Sequence, residues 1–99
     1  MKIRVSARAR ARIRRQDNWW RDHRRDVPDL FKQELQMAFL RILQAPKLRP
    51  PHAEIEGEPV WRILMPVTEQ HVYYTVNDAA AEVVIETLWG ARRGRTPKL

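Results

Sequence analysis

The stretch from Val60 to Trp89, VWRILMPVTEQHVYYTVNDAAAEVVIETLW, reads as three short strands and decides the fold class. Val60 to Pro66, His71 to Val76 and Glu82 to Trp89 are rich in β-branched and aromatic side chains, which suit a pleated, half-buried surface. Successive side chains of an extended chain point to opposite faces. Trp61, Ile63 and Met65 therefore share one face and Arg62 takes the other, while Val83 and Ile85 oppose Glu82 and Glu86. His71, Tyr73 and Thr75 alternate with Val72, Tyr74 and Val76, which sends one tyrosine inward and one to the opposite side. Asn77 and Asp78 adopt positive φ at little cost, so the last two runs are expected to pair antiparallel through a turn at these residues.

Toward the N-terminus, Pro46 to Pro59 holds four prolines, Gly57 and mixed charge, and reads as a long loop. Ahead of it, Asp26 and Pro28 mark a helix start, since aspartate caps free amides and proline fits a first turn. Phe31, Leu35, Ala38 and Ile42 follow at spacings of four, three and four. They form a core stripe widened by Phe39 and Leu43, and Pro46 ends the element. Leu30, Met37 and Leu40 lie off that stripe and give a second apolar strip. From Ala7 to about Arg24 there is neither Pro nor Gly, and Ala9, Ile13, Gln16 and Trp20 fall on one face of a first helix with Ser6 as its N-cap. Arg8, Arg12, Arg15 and Trp19 form a separate stripe, expected to face solvent with Trp19 under the Arg15 guanidinium. Lys2 to Ser6 reads as a strand with Ile3 and Val5 on one face. The order strand, helix, helix, strand, strand, strand predicts an α+β fold: a small, mainly antiparallel, twisted sheet covered on one face by a helical hairpin and open on the other.

At 99 residues the chain fits one domain, residues 1–99, because two cores need more sequence. It has no cysteine, which excludes disulfide scaffolds, thiolate zinc sites and thiol nucleophiles. Residues 1–15 alternate arginine with small residues and offer no apolar signal-peptide core, so a cytoplasmic location is expected. Charge interrupts every apolar run too often for a membrane span.

Net charge is +7, unevenly spread. Residues 1–25 carry ten Lys or Arg against Asp17 and Asp22, a net +8; residues 26–91 carry −5; and Arg92, Arg93, Arg95 and Lys98 add +4. Basic ends on a mildly acidic body call for a negatively charged partner. Arg outnumbers Lys by 15 to 4, either for bidentate phosphate and carboxylate contacts or through GC-rich codon usage.

For chemistry, Ser6 is the only serine and sits where a cap belongs. His23, His52 and His71 lie at no metal-ligand spacing, and the glycines at 57, 90 and 94 form no phosphate loop. No metal and no cofactor is therefore expected. Glu54, Glu56 and Glu58 read as a solvated rim. What remains is a set of arginines: Arg62 in mid-strand, and Arg92, Arg93 and Arg95 after the last strand. Arg62 must leave the core, either for an acidic or phosphorylated partner or for a salt bridge to Glu82 or Glu86.

The whole pattern resembles the RelE/ParE superfamily of toxins from bacterial type II toxin-antitoxin systems. The resemblance covers nearly the full chain and rests on the basic first helix ending NWWRDH, on VPDLFKQELQMAFLRILQAP, and on VWRILMP, HVYYTVND and VVIETLWGARRGR. It implies a growth-inhibitory protein neutralised by an acidic, partly disordered antitoxin in a hetero-oligomer, with Leu30, Met37 and Leu40 as one candidate contact. The family divides by target. ParE-like members poison DNA gyrase, and Arg92 and Arg93 match their tail arginines loosely. RelE-like members cut mRNA in the ribosome, and Arg62 matches their strand arginine. The nuclease branch often places a His or Tyr near the C-terminus, where this chain reads LWGARRGR with neither after Tyr74, so a gyrase poison is the favoured expectation. On the ribosomal reading, Lys47 and Arg49 join Arg62 as residues to test. A basic nucleic-acid-binding module without toxicity is the third reading, although no recognition-helix motif accompanies the charge.

Overall fold

A computed structural model describes all 99 residues, Met1–Leu99. Its elements are β1 (Lys2–Val5), α1 (Ala7–His23), α2 (Leu30–Gln44), β2 (Ala53–Ile55), β3 (Glu58–Met65), β4 (Gln70–Asn77) and β5 (Glu82–Gly90). They form one open, mixed five-stranded sheet in the order β1-β5-β4-β3-β2. All neighbours are antiparallel except β1, which runs parallel to β5 with Lys2 opposite Glu82 and Val5 opposite Ile85. The α+β class is as expected from the sequence, with one strand more. No helix is long and apolar enough to cross a membrane.

Ser6 joins β1 to α1. Its hydroxyl accepts from the Ala9 amide at 3.0 Å, capping the helix, and donates to the Glu86 carbonyl at 2.9 Å. Helix α2 begins at Leu30, two residues beyond Pro28, and the residue at its cap position is Asp29. Asp29 makes no side-chain cap bond; its carboxylate pairs with Arg21 of α1 at 2.8 Å, and Arg21 also pairs with Asp17. The Arg21–Asp29 pair ties the two helices together at their shared turn, and the Asp17 pair within α1 holds Arg21 in place for it.

Both helices cover one face of the sheet. Ala9, Phe31, Leu35, Ala38 and Ile42 from the helices meet Trp61, Met65, Val72, Tyr74, Val83, Ile85 and Leu88 from the strands in one core. Every residue of the α2 stripe is buried, as the spacing requires. Fully burying side chains of this size contributes about 1.5–3 kcal/mol each. Where aromatic side chains carry polar groups, the loop after α2 satisfies them: Tyr74 donates its hydroxyl to the Pro46 carbonyl at 2.8 Å, and Trp61 donates Nε1 to the Arg49 carbonyl at 2.9 Å. Burial pushes the Tyr74 phenol above its ordinary range.

Two turns depart from the expected chemistry, and a third is fixed by a helix side chain. The predicted loop from Pro46 to Pro59 contains β2, because Glu56 at φ 51° and Gly57 at φ 79° make the tight turn that folds Ile55 back on Glu58. Positive φ at both central residues matches the twist of the flanking strands, and glycine supplies it without steric cost. Between β4 and β5 the positive φ falls on Ala81, at 51°, rather than on Asn77 or Asp78; Asn77 instead accepts from the Ala80 amide through its side chain. Between β3 and β4, Glu34 of α2 accepts from the amides of Val67 and Thr68 and from the Thr68 hydroxyl, all within 2.9 Å. That one carboxylate fastens the hairpin turn to the helix layer.

The face away from the helices is less open than predicted. Val60, Tyr73 and Trp89 form a small second cluster there, and buried Pro97 belongs to a tail that follows β5. Both tyrosines are consequently buried, Tyr74 (6% exposed) in the main core and Tyr73 (1%) in the second cluster.

Candidate functional site

Arg62 lies on the outward face of β3, directly across from Tyr73 of β4. Its guanidinium donates from Nη1 to the Tyr73 hydroxyl at 3.3 Å. Neither expected salt bridge forms, because Glu82 engages Arg4 at 2.9 Å and Glu86 accepts from the Thr75 hydroxyl at 2.8 Å. The Arg62 charge therefore stands beside a phenol with no carboxylate to neutralise it. Two imidazoles flank the same phenol. His71 precedes Tyr73 by two residues on the same strand face, with ring centres 6.1 Å apart, and His52 approaches to 5.7 Å from the segment before β2. The His52 amide donates to the Val60 carbonyl at 2.8 Å, which fixes that segment to β3.

Together with Trp89, Arg93 and Arg95 these residues line a cleft of about 410 Å³. Burial, and then the charge of Arg62, hold the His52 imidazole below its ordinary pKa of 6.5. The same causes act on His71, with His52 adding a further repulsion. Both rings are accordingly neutral near pH 7 and able to accept a proton.

Trp89 is the wall on which the arginines gather. The guanidinium carbons of Arg93, Arg12 and Arg95 lie 4.4, 4.7 and 5.7 Å from its ring centre, and its Nε1 donates to the Arg95 carbonyl at 2.9 Å. Cation–π attraction stabilises such pairs by roughly 0.5–2 kcal/mol. Arg12 is thus partly buried against β5, not on a free solvent-facing stripe, and Trp19 stacks on His23 at 4.4 Å, not under Arg15. Burial, and then the charges of Arg93, Arg15 and Arg8, hold the Arg12 guanidinium below the ordinary arginine range.

Of the predicted site residues, the fold brings Arg62, Arg93 and Arg95 into one cleft. Arg92 turns aside to pair with Glu69 at 2.6 Å. Leu30 and Met37 line a separate apolar groove with Leu64 and Val67, whereas Leu40 is exposed outside it. Lys47 does not join Arg62; it pairs with Asp78 at the opposite end of the sheet, while Arg49 borders a neighbouring hollow that Arg62 also lines. No three His, Asp or Glu side chains converge as a set of metal ligands. The residues missed by sequence reasoning are His52, His71, Tyr73, Trp89 and Arg12. For His71 and Tyr73 a signal existed: both share the outward parity of Arg62, and counting back across the turn sets Tyr73 opposite Arg62.

An electropositive cleft with two neutral imidazoles can bind a phosphodiester and move protons at it. The arginines suit charge that develops on phosphoryl oxygens, and an imidazole suits the hydroxyl that must lose its proton. Neither the protein-family models nor the curated proteins provide a match to this chain.

Proposed function

We propose that this chain is the toxin of a type II toxin-antitoxin pair, of the RelE/ParE kind, and that it acts as an endoribonuclease through the cleft around Arg62. The observation that carries the reading is the gathering of His52, His71 and Tyr73 about an arginine that has no carboxylate partner. The missing C-terminal His or Tyr weighed against cleavage in the sequence, and β4 together with the β2 segment supplies proton-transfer groups from elsewhere. In the chemistry this arrangement suits, one imidazole takes the proton of an RNA 2′-hydroxyl as its oxygen bonds to the adjacent phosphorus. The P–O5′ bond breaks, the leaving oxygen takes up the proton carried by the imidazolium so formed, directly or through the second imidazole, and a 2′,3′-cyclic phosphate and a 5′-hydroxyl result. Arg62 and Arg93 offset the charge on the phosphoryl oxygens.

An acidic antitoxin neutralises such a site by laying carboxylates on the cleft arginines and apolar anchors in the groove of Leu30 and Met37, ordering itself as it binds. The gyrase-poison reading is the alternative. It is favoured by Arg8, Arg10, Arg14 and Arg15, which are exposed on α1 without carboxylate partners and offer a protein-binding surface that needs no chemistry. Purified protein is to be tested in parallel for cleavage of ribosome-bound message and for inhibition of gyrase supercoiling, each with and without antitoxin. Antitoxin-reversible cleavage is the expected result; reversible inhibition of supercoiling without cleavage would transfer the function to gyrase. Normal growth on induction with soluble protein would remove both readings for that host.

A further inference from the structure

Beside the cleft lies a second cavity of about 420 Å³, lined by Arg12, Trp19 and Trp20 of α1 and by Arg92 and Arg93 after β5. Gly90 and Arg93 line both hollows, so the two adjoin at these residues. Arg12 and Arg93 hold their guanidinium carbons 4.7 and 4.4 Å from that one ring, and neither meets a carboxylate. Like charges packed this way repel, and after burial that repulsion helps hold Arg12 below the usual arginine range. An anion bridging them removes the repulsion and gains charge-assisted hydrogen bonds. The only acidic group at the rim, Glu69, is already taken by Arg92.

The aromatic side of the cavity narrows the choice of anion. Trp19 remains 47% exposed although it is held by two aromatic neighbours, stacked on His23 at 9° between planes and edge-on to Trp20 at 5.2 Å. A large exposed indole preset in a stack is a platform for another flat ring. Unpaired nucleobases use such platforms, and bases inside a duplex have no free face to offer.

Building on the ribonuclease reading, we infer that this cavity is a second nucleotide subsite, which holds a phosphate between Arg12 and Arg93 and stacks an unpaired base on Trp19, so that single-stranded RNA runs from it into the cleft. The alternative occupant of the same charge is an acidic protein segment, which has no use for the indole.

The test is fluorescence anisotropy of a short labelled 2′-O-methyl oligoribonucleotide, which lacks the attacking hydroxyl, titrated with the full chain. Trp19→Ala is expected to weaken binding about tenfold, while Trp19→Phe keeps most of the affinity because a stacking face remains. Arg12→Ala is expected to weaken binding and to reduce the slope of log affinity against log salt by about one. Wild-type binding by folded Trp19→Ala and Arg12→Ala proteins would overturn the subsite. So would competition by a polyglutamate peptide that depends on Arg12 and is indifferent to Trp19 while the oligonucleotide shows no Trp19 dependence. Cleavage of ribosome-bound message by the wild type separates the two proposals. Trp19-dependent and Arg12-dependent binding without cleavage sinks the ribonuclease and keeps the subsite, and cleavage with unaltered binding by both variants does the reverse.

Discussion

On the side facing the helices, the sheet gives Trp61, Met65, Val72, Tyr74, Val83, Ile85 and Leu88 to a core shared with Phe31, Leu35 and Ile42. On the other side it buries Val60, Tyr73 and Trp89, and around them it leaves arginines and imidazoles in contact with solvent. Strand alternation makes the two faces from alternate residues of the same strands, so one backbone supports both a packed core and a charged cleft. The division matters because a group in the core is chosen for fit, whereas a group in the cleft is held close to like charges at some expense of stability. Substitutions on the two faces should therefore separate folding from activity.

The largest effect belongs to the core. Phe31→Ala removes a fully buried ring and is expected to lower unfolding free energy by about 3–5 kcal/mol in urea titration. A loss below about 1 kcal/mol would mean that the helix layer contributes little to holding the sheet. Next comes the cleft, where Arg62→Ala should slow message cleavage by about 10²–10³-fold while lowering stability by only about 1 kcal/mol for the lost bond to Tyr73. Unaltered cutting would remove Arg62 from the site, and a large midpoint shift would dissolve the distinction between the faces. Glu34→Ala probes the join between layers: it strips three acceptor contacts from the turn at Val67 and Thr68 and should cost about 1–3 kcal/mol.

Protonation offers a milder test. His52 and His71 have folded-state pKa values below 6.5, so around and below that pH the unfolded chain binds more protons than the folded one. The stability they contribute is complete above pH 6.5 and is lost as pH falls through their folded values. Melting temperature should drop between about pH 7.5 and about pH 5, and the drop should shrink in the His52→Asn, His71→Asn double variant. An unchanged pH dependence in the double variant would assign the drop to the carboxylates. Smallest of all, Arg92→Ala breaks only the exposed pair with Glu69 and should change stability by less than about 1 kcal/mol by thermal melting. A larger loss would show that the tail depends on that pair.

Much of the helix-facing side was legible in the sequence, because a spacing of four, three and four at Phe31, Leu35, Ala38 and Ile42 has one helical solution, and alternation in Trp61–Met65 and Val72–Val76 fixes parity without reference to partners. Of the cleft, the sequence singled out Arg62, Arg93 and Arg95, and the parity of His71 and Tyr73 could have added those two. His52 lies in a segment whose prolines conceal a three-residue strand, and only the Glu56–Gly57 turn returns it to β3 beside Tyr73. Trp89 reads as one more apolar residue of a strand until Arg12, far away in sequence, is seen packed against it. Local periodicity reports which way a side chain faces; which distant groups meet it is decided by strand order.

The parallel pairing of β1 with β5 also bears on how the protein is made. Ser6 and Glu86, eighty positions apart, are bonded to each other, and Lys2 to Val5 find their partners only in Glu82 to Ile85. A chain emerging from the ribosome can form its helices early, but its first strand has nothing to pair with until Glu82 to Ile85 have emerged, and contacts of such long range also slow folding. Trp89, Arg93 and Arg95, which complete the cleft, emerge later still. The cleft therefore cannot assemble on the nascent chain before Arg95 has emerged, because its walls come from both sides of the sheet's last strand.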